Sequence, residues 1–179
     1  MPPGAHDRFI SDTSPLTVQG RADGFAGCET ESASHFQLMA TLERALQIAV
    51  QAHAGQKDKS GAAYIFHPLR VMMRCTAPEA KIVGLLHDVV EDTGVTFAQL
   101  EAEGFSPAVL AALRLVTHDD GSPYHEYVER MKPNPIAVEV KLADLEDNCD
   151  LRRLPEVDDR TVERLRRYHA AWKSLTATR

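Results

Sequence analysis

The feature that constrains this chain most is the spacing of its apolar residues. They recur every three or four positions, and nowhere in the strict alternation of a half-buried strand. Leu42, Ala45, Leu46, Ala49, Val50 and His53 mark one face of a helix that ends by Gly55. Prolines punctuate the chain beyond Gly55, and proline suits a first helical turn. His67-Pro68 therefore opens a second helix, running to about Cys75. Pro78 opens a third, which carries Ile82, Leu85, Leu86, Val89 and Val90 and ends around Thr93-Gly94. Thr96 and Gln99 form a capping-box pattern for a short helix ending at Gly104. Ser106-Pro107 caps the next, followed by helices over 124–131, from Asn134-Pro135 through Leu145, and beyond Pro155. In that last one, Leu165, Tyr168, Trp172 and Leu175 keep the helical spacing. The expectation is all-α: an irregular helical bundle forming one domain over residues 36–179. Residues 1–35, rich in Gly, Pro, Ser, Thr, Asp and Ala, lack periodicity and read as a flexible N-terminal arm.

The formal charge of −6 argues against nucleic-acid or membrane-surface binding, both of which want a basic footprint. An acidic chain that handles an anionic substrate needs local positive charge, and a metal ion is one source. Cys28, Cys75 and Cys149 are odd in number and far apart, which fits a reducing cytoplasm better than a disulfide framework. No apolar run is long enough to span a membrane, and no signal peptide is evident.

The third helix concentrates the chemistry. On a helical wheel with His87 at zero, Glu91 falls at about 40°, Asp88 at about 100° and Asp92 at about 140°. The apolar residues occupy the opposite arc, and Gly84, at about 60°, leaves room for a ligand near the backbone. A solvated acidic face is the ordinary explanation of such a pattern. Against it, this arc borders core residues, and three like charges within two turns repel unless a cation neutralises them. His67 and His53, alone, read as capping or core histidines. Asp144 shares a face with Lys141 and Asn148, which alone reads as an exposed ion pair. Taken in order, however, His67, His87-Asp88 and Asp144 supply two imidazoles and two carboxylates. That donor set without thiolate suits Mn²⁺, Fe²⁺, Co²⁺, Mg²⁺ or catalytic Zn²⁺. Glu91 and Asp92 would then stand beside the metal, placed to orient or deprotonate water.

Four blocks carry a family resemblance: Ala52-His53-Ala54-Gly55-Gln56; Lys59-Ser60-Gly61 with Tyr64 and His67-Pro68; Leu86-His87-Asp88-Val89-Val90-Glu91-Asp92-Thr93; and Lys141-Leu142-Ala143-Asp144 with Asn148. From roughly Leu42 to Trp172 the chain resembles the HD superfamily of metal-dependent phosphohydrolases. Within it, it resembles the hydrolase domain of RelA/SpoT alarmone enzymes and the small alarmone hydrolases. The resemblance implies an HD-domain helical bundle and one Mn²⁺ on His67, His87, Asp88 and Asp144. It implies Glu91 and Asp92 as the catalytic pair, and removal of the 3′-pyrophosphate of (p)ppGpp. It places Lys59 and Ser60 at the nucleotide and Asn148 at the ribose, with Tyr64 supporting the pocket; Thr117 matches the family's Val-Thr block without a direct role. No synthetase domain is expected in the length that remains.

Two positions depart from the pattern. Asp58 stands where the family usually has an arginine against the base, and Asp150 replaces a second arginine. An aspartate cannot stack as a guanidinium does. A ppApp-type alarmone is therefore an alternative substrate, and Asp58→Arg is expected to improve a guanosine substrate if stacking was lost. Another HD-type nucleotide phosphohydrolase, a 5′-nucleotidase or triphosphohydrolase, is the second reading. A non-catalytic nucleotide sensor or partner-binding module is the third.

Overall fold

The computed structural model describes residues 40–118, 121–154 and 156–177. The expected arm at 1–35 lies outside the described residues. Those described form α1 (Leu42–Ala52), α2 (Phe66–Arg74), α3 (Pro78–Leu86), α4 (Val89–Asp92), α5 (Phe97–Ala102), α6 (Pro107–Val116), α7 (Tyr124–Met131), α8 (Pro135–Asn148) and α9 (Asp159–Thr176), with a 3₁₀ turn at Leu151–Arg153. Among them the only extended pairing is an isolated bridge between Lys57 and Ala63. The expected all-α helical bundle is what the described residues form. No helix among the described residues is long and apolar enough to cross a membrane.

Local chemistry sets most helix starts. Thr96 and Gln99 complete a capping box on α5, Ser106 accepts from the Val109 amide, Asn134 from Ala137 and Asp158 from Thr161. Pro107 and Pro135 sit in first turns, where their missing N–H costs nothing.

Two helices organise the core. α3 packs against α1, α2, α6 and α8, and its Ala80, Val83, Leu85 and Leu86 have no exposed surface. α8 meets α2, α3, α6, α7 and α9, and it buries Val140, Leu142, Ala143 and Leu145 in succession rather than along one stripe. Gly84 lets α3 approach α2: a Cβ there would lie 3.2 Å from both the backbone nitrogen and Cα of Met72. The space expected for a ligand at Gly84 is thus filled by α2.

The third helix is broken, not continuous. α3 stops at Leu86, His87 and Asp88 form a turn, and α4 resumes at Val89. His87 Nδ1 lies 2.9 Å from the Gly84 carbonyl oxygen, which an unbroken helix would give to the amide of residue 88. Asp88 takes φ −97° and ψ −6°, at the margin of the helical region. Helix α2 begins at Phe66, one residue before His67. Of the residues expected on the core face of α9, Leu175 is buried but Trp172 is 39% exposed, and the neighbouring Ala171 is buried in its place.

Candidate active site

His67 in the first turn of α2, the His87–Asp88 turn after α3, and Asp144 in mid-α8 converge. His67 Nε2 lies 3.3 Å from His87 Nε2, 3.5 Å from Asp88 Oδ2 and 3.3 Å from Asp144 Oδ1. His87 Nε2 lies 3.1 Å from Asp88 Oδ2 and 3.8 Å from Asp144 Oδ1. One donor atom each from His67, His87 and Asp88 fits within 4.8 Å. Both imidazoles and Asp144 are buried. Ring nitrogens aimed at one another between carboxylates, with no thiolate in the set, are donors that could hold a divalent cation. The residues therefore fit a metal of this kind.

The surroundings hold these groups in place. Burial opposes charge on Asp88, but His87 and His67 outweigh it and hold its carboxyl at about 2. Burial likewise opposes charge on Asp144, yet Lys141 and the two histidines pull its carboxyl well below the usual range. Lys141 Nζ donates to Asp144 Oδ2 at 2.8 Å and Asn148 Nδ2 to Oδ1 at 2.5 Å. The pair read as exposed is therefore buried against the cluster. The Tyr64 hydroxyl donates to Asp88 Oδ2 at 2.6 Å and to Asp92 Oδ2 at 3.3 Å. Burial, with Asp88 beside it, pushes the Tyr64 hydroxyl far up, so it stays a donor.

Glu91 and Asp92 follow on α4 and face the same cavity. Glu91 Oε2 accepts the His118 amide at 2.9 Å. Burial raises both carboxyls above their ordinary values, and the Asp88 charge adds to it. His53 stands outside the cluster: its Nδ1 pairs with Gln56 Oε1 at 2.7 Å, and Gln56 donates to the Asp92 carbonyl. Thr117 bonds back to the Leu113 carbonyl as the cap of α6.

The cavity holds about 560 Å³ and is lined by Lys59, Ser60 and Asn148 as well as by the metal-type cluster. Lys57, Lys141, Arg153 and Arg164 give it positive charge, and Tyr124 and Tyr168 form an aromatic wall. Ser60 does not point freely at this space. Its hydroxyl donates to Asp58 Oδ1 at 2.6 Å, and the amides of Ser60 and Ala62 reach the same oxygen at 2.9 and 3.0 Å. Asp58 Oδ2 pairs with Arg153 at 3.1 Å. Asp150 caps the 3₁₀ turn and pairs with Arg152 at 2.7 Å.

Asp147, Arg153 and Arg164 were not singled out from the sequence. A readable signal existed for the first: Asp147 lies three residues after Asp144, on the same helical face.

A helical bundle that clusters His67 with the His87-Asp88 pair and brings Asp144 within 3.3 and 3.8 Å of the two imidazoles resembles the design of an HD-type domain. Known proteins agree with that assignment and narrow it. The chain is 30% identical over 128 residues to the guanosine-3′,5′-bis(diphosphate) 3′-pyrophosphohydrolase of Aquifex aeolicus, covering 64% of this chain and 18% of the relative. It is 42% identical over 82 residues to the protein of the same name from Borreliella burgdorferi, covering 42% of this chain and 12% of that one. A solved structure described as a metazoan ortholog of SpoT that hydrolyzes ppGpp superposes with a TM-score of 0.60 at 25% identity. That match covers 83% of this chain and 88% of the other. No family model matches the chain. The chain spans 18% and 12% of these two curated relatives' lengths. The resemblance to HD-type alarmone hydrolases read from the motifs is thus borne out.

Proposed function

We propose that this chain hydrolyses the 3′-pyrophosphate of an alarmone nucleotide, (p)ppGpp or (p)ppApp, in a Mn²⁺-dependent reaction. The products are pyrophosphate and a nucleoside 5′-di- or triphosphate. The observation that carries the reading is the meeting of His67, His87, Asp88 and Asp144 at one point, with Glu91 and Asp92 on the adjoining turn. Those four residues would hold the cation, which when bound supplies Lewis-acid polarisation of a phosphoryl oxygen and a more acidic water. Lys59 and Arg153, with Lys57 and Arg164, supply positive charge for the phosphates on the cavity side. On this reading Asn148 would meet the ribose, and Ser60 would lie with Lys59 at the nucleotide.

Glu91 is anchored through one oxygen by the His118 amide, so its carboxylate is oriented toward the cavity rather than free. It acts on water as a base with Asp92 beside it. Water oxygen bonds to phosphorus, the P–O3′ bond breaks, and the departing O3′ receives a proton. A small-molecule nucleotide partner and a cytoplasmic setting go with this reading.

Asp58 favours a second reading, a nucleotide phosphohydrolase with different base recognition, because a carboxylate lines the cavity where a stacking cation was expected. Purified protein with Mn²⁺ is given ppGpp, ppApp, nucleoside monophosphates and triphosphates. Pyrophosphate from either alarmone supports the first reading. Orthophosphate from monophosphates alone replaces it with the second.

A further inference from the structure

One buried charge near the site has no part in the proposed hydrolysis. Asp147 lies on α8 three residues beyond Asp144, and none of its side chain is exposed. Its Oδ2 is 2.8 Å from His67 Nδ1. Arg70 Nε donates to its Oδ1 at 2.7 Å and Arg70 Nη2 to Oδ2 at 3.1 Å. Arg74 donates to Oδ1 at 3.0 Å, and Arg153 reaches both Oδ2 and the Asp147 carbonyl. One carboxylate thus gathers three guanidinium groups and an imidazole.

Burying a carboxylate is costly unless it is paired and fully hydrogen-bonded, and here every oxygen is. A single arginine would neutralise it. Three do more: their donors occupy both carboxylate oxygens, fix the carboxylate plane and keep it an acceptor. The direction of the His67 contact matters most. An ionised carboxylate has no proton to give, so His67 Nδ1 must be the donor. Nε2 is then the ring nitrogen on the side where His87, Asp88 and Asp144 lie, and it is the one that would offer its lone pair to a cation.

We propose that Asp147 is a positioning residue that sets the tautomer and ring plane of His67, with Arg70, Arg74 and Arg153 as the frame that fixes it. This rests on the cation reading of the site and extends it to a residue outside the ligand set. Such hydrogen-bonded carboxylates behind a ligating imidazole typically contribute 10- to 100-fold, in order of magnitude, to metal affinity.

The test compares wild type with Asp147→Asn, which keeps the shape but removes the charge. Mn²⁺ affinity is measured by titration, folding by thermal melting, and the His67 Nδ1 proton by ¹⁵N-resolved NMR on Zn²⁺-loaded protein. The expected result is a folded variant binding Mn²⁺ roughly 10- to 100-fold more weakly, with a protected Nδ1 proton on His67 in the wild type only. Unchanged affinity in folded Asp147→Asn overturns the proposal. If the variant does not fold, a freely exchanging Nδ1 proton in the wild type overturns it instead. Wild type that binds no Mn²⁺ is a separate outcome: it overturns the cation reading, and this inference with it.

Discussion

Glu91 carries the sharpest test at the scale of one side chain. Glutamine there can still accept the His118 amide through its carbonyl oxygen, so geometry survives while proton acceptance is lost. Glu91→Gln is expected to keep Mn²⁺ by elemental analysis and to lose turnover by about 10²- to 10⁴-fold. A retained rate removes Glu91 from its role. Asp58 teaches a different lesson. Read from sequence it is a missing arginine; in the structure it is the organiser of its loop, accepting from Ser60 twice, from Ala62 and from Arg153. Asp58→Arg would remove those acceptors and set a second guanidinium beside Arg153. It is therefore expected not to improve a guanosine substrate, but to speed hydrogen exchange at the Ser60 and Ala62 amides. The Ser60 hydroxyl and Arg153, working against burial, hold the Asp58 carboxyl at about 2. A depressed carboxyl stabilises the fold above its unfolded pKa of about 3.9, and that contribution is lost as pH falls toward about 2. The stability gap between wild type and Asp58→Asn should hold steady from neutrality down to about pH 4 and close below it.

At the scale of helices, the site depends on how closely α2 and α3 approach. Gly84→Ala places a methyl group 3.2 Å from Met72 backbone atoms, which cannot move as a side chain can. Overpacking costs about 1–3 kcal/mol, while the better helix propensity of alanine returns up to about 1 kcal/mol. A net loss of stability is expected in urea denaturation, with unchanged m; a stabilised variant would mean the two helices separate freely. Helix starts were legible because caps and first-turn prolines act within three residues of themselves. The break at His87 was not, because it comes from a side chain competing for its own helix's carbonyl. Nor was the Asp147 frame. His67, Arg70 and Arg74 on α2, and Asp144 and Asp147 on α8, each look like an ordinary solvated face until the two helices are known to meet. Trp172 shows the converse, since the 3–4 spacing fits several neighbouring stripes on a long helix and only packing selects Ala171 over Trp172 beside Leu175.

At the scale of the molecule, the four candidate ligands were legible as a set because their order along the chain is itself the motif. Their distances follow from contacts among α2, α3 and α8. Those helices bring together groups from positions 67, 87–88 and 144, so a cation held there would tie distant parts of the chain into one unit. Asp88 and Asp144 stay ionised in this buried setting, balanced by Lys141 and the imidazoles. The unfolded chain has no such preformed site, so binding free energy becomes folding free energy. At a free Mn²⁺ concentration one hundred times its dissociation constant, the native state gains about 2.7 kcal/mol. For a domain of this size that is a rise of about 5–10 °C in Tm, reversed by a chelator. In His87→Ala the melting curves with and without Mn²⁺ should coincide, because one of the two inward-facing imidazoles is gone. If the wild-type curve ignored Mn²⁺ while His87→Ala stayed folded, the convergence of these side chains would have to be explained by hydrogen bonding alone. The two Nε2 atoms, 3.3 Å apart, would then each have to donate to a carboxylate, His67 to Asp144 Oδ1 and His87 to Asp88 Oδ2.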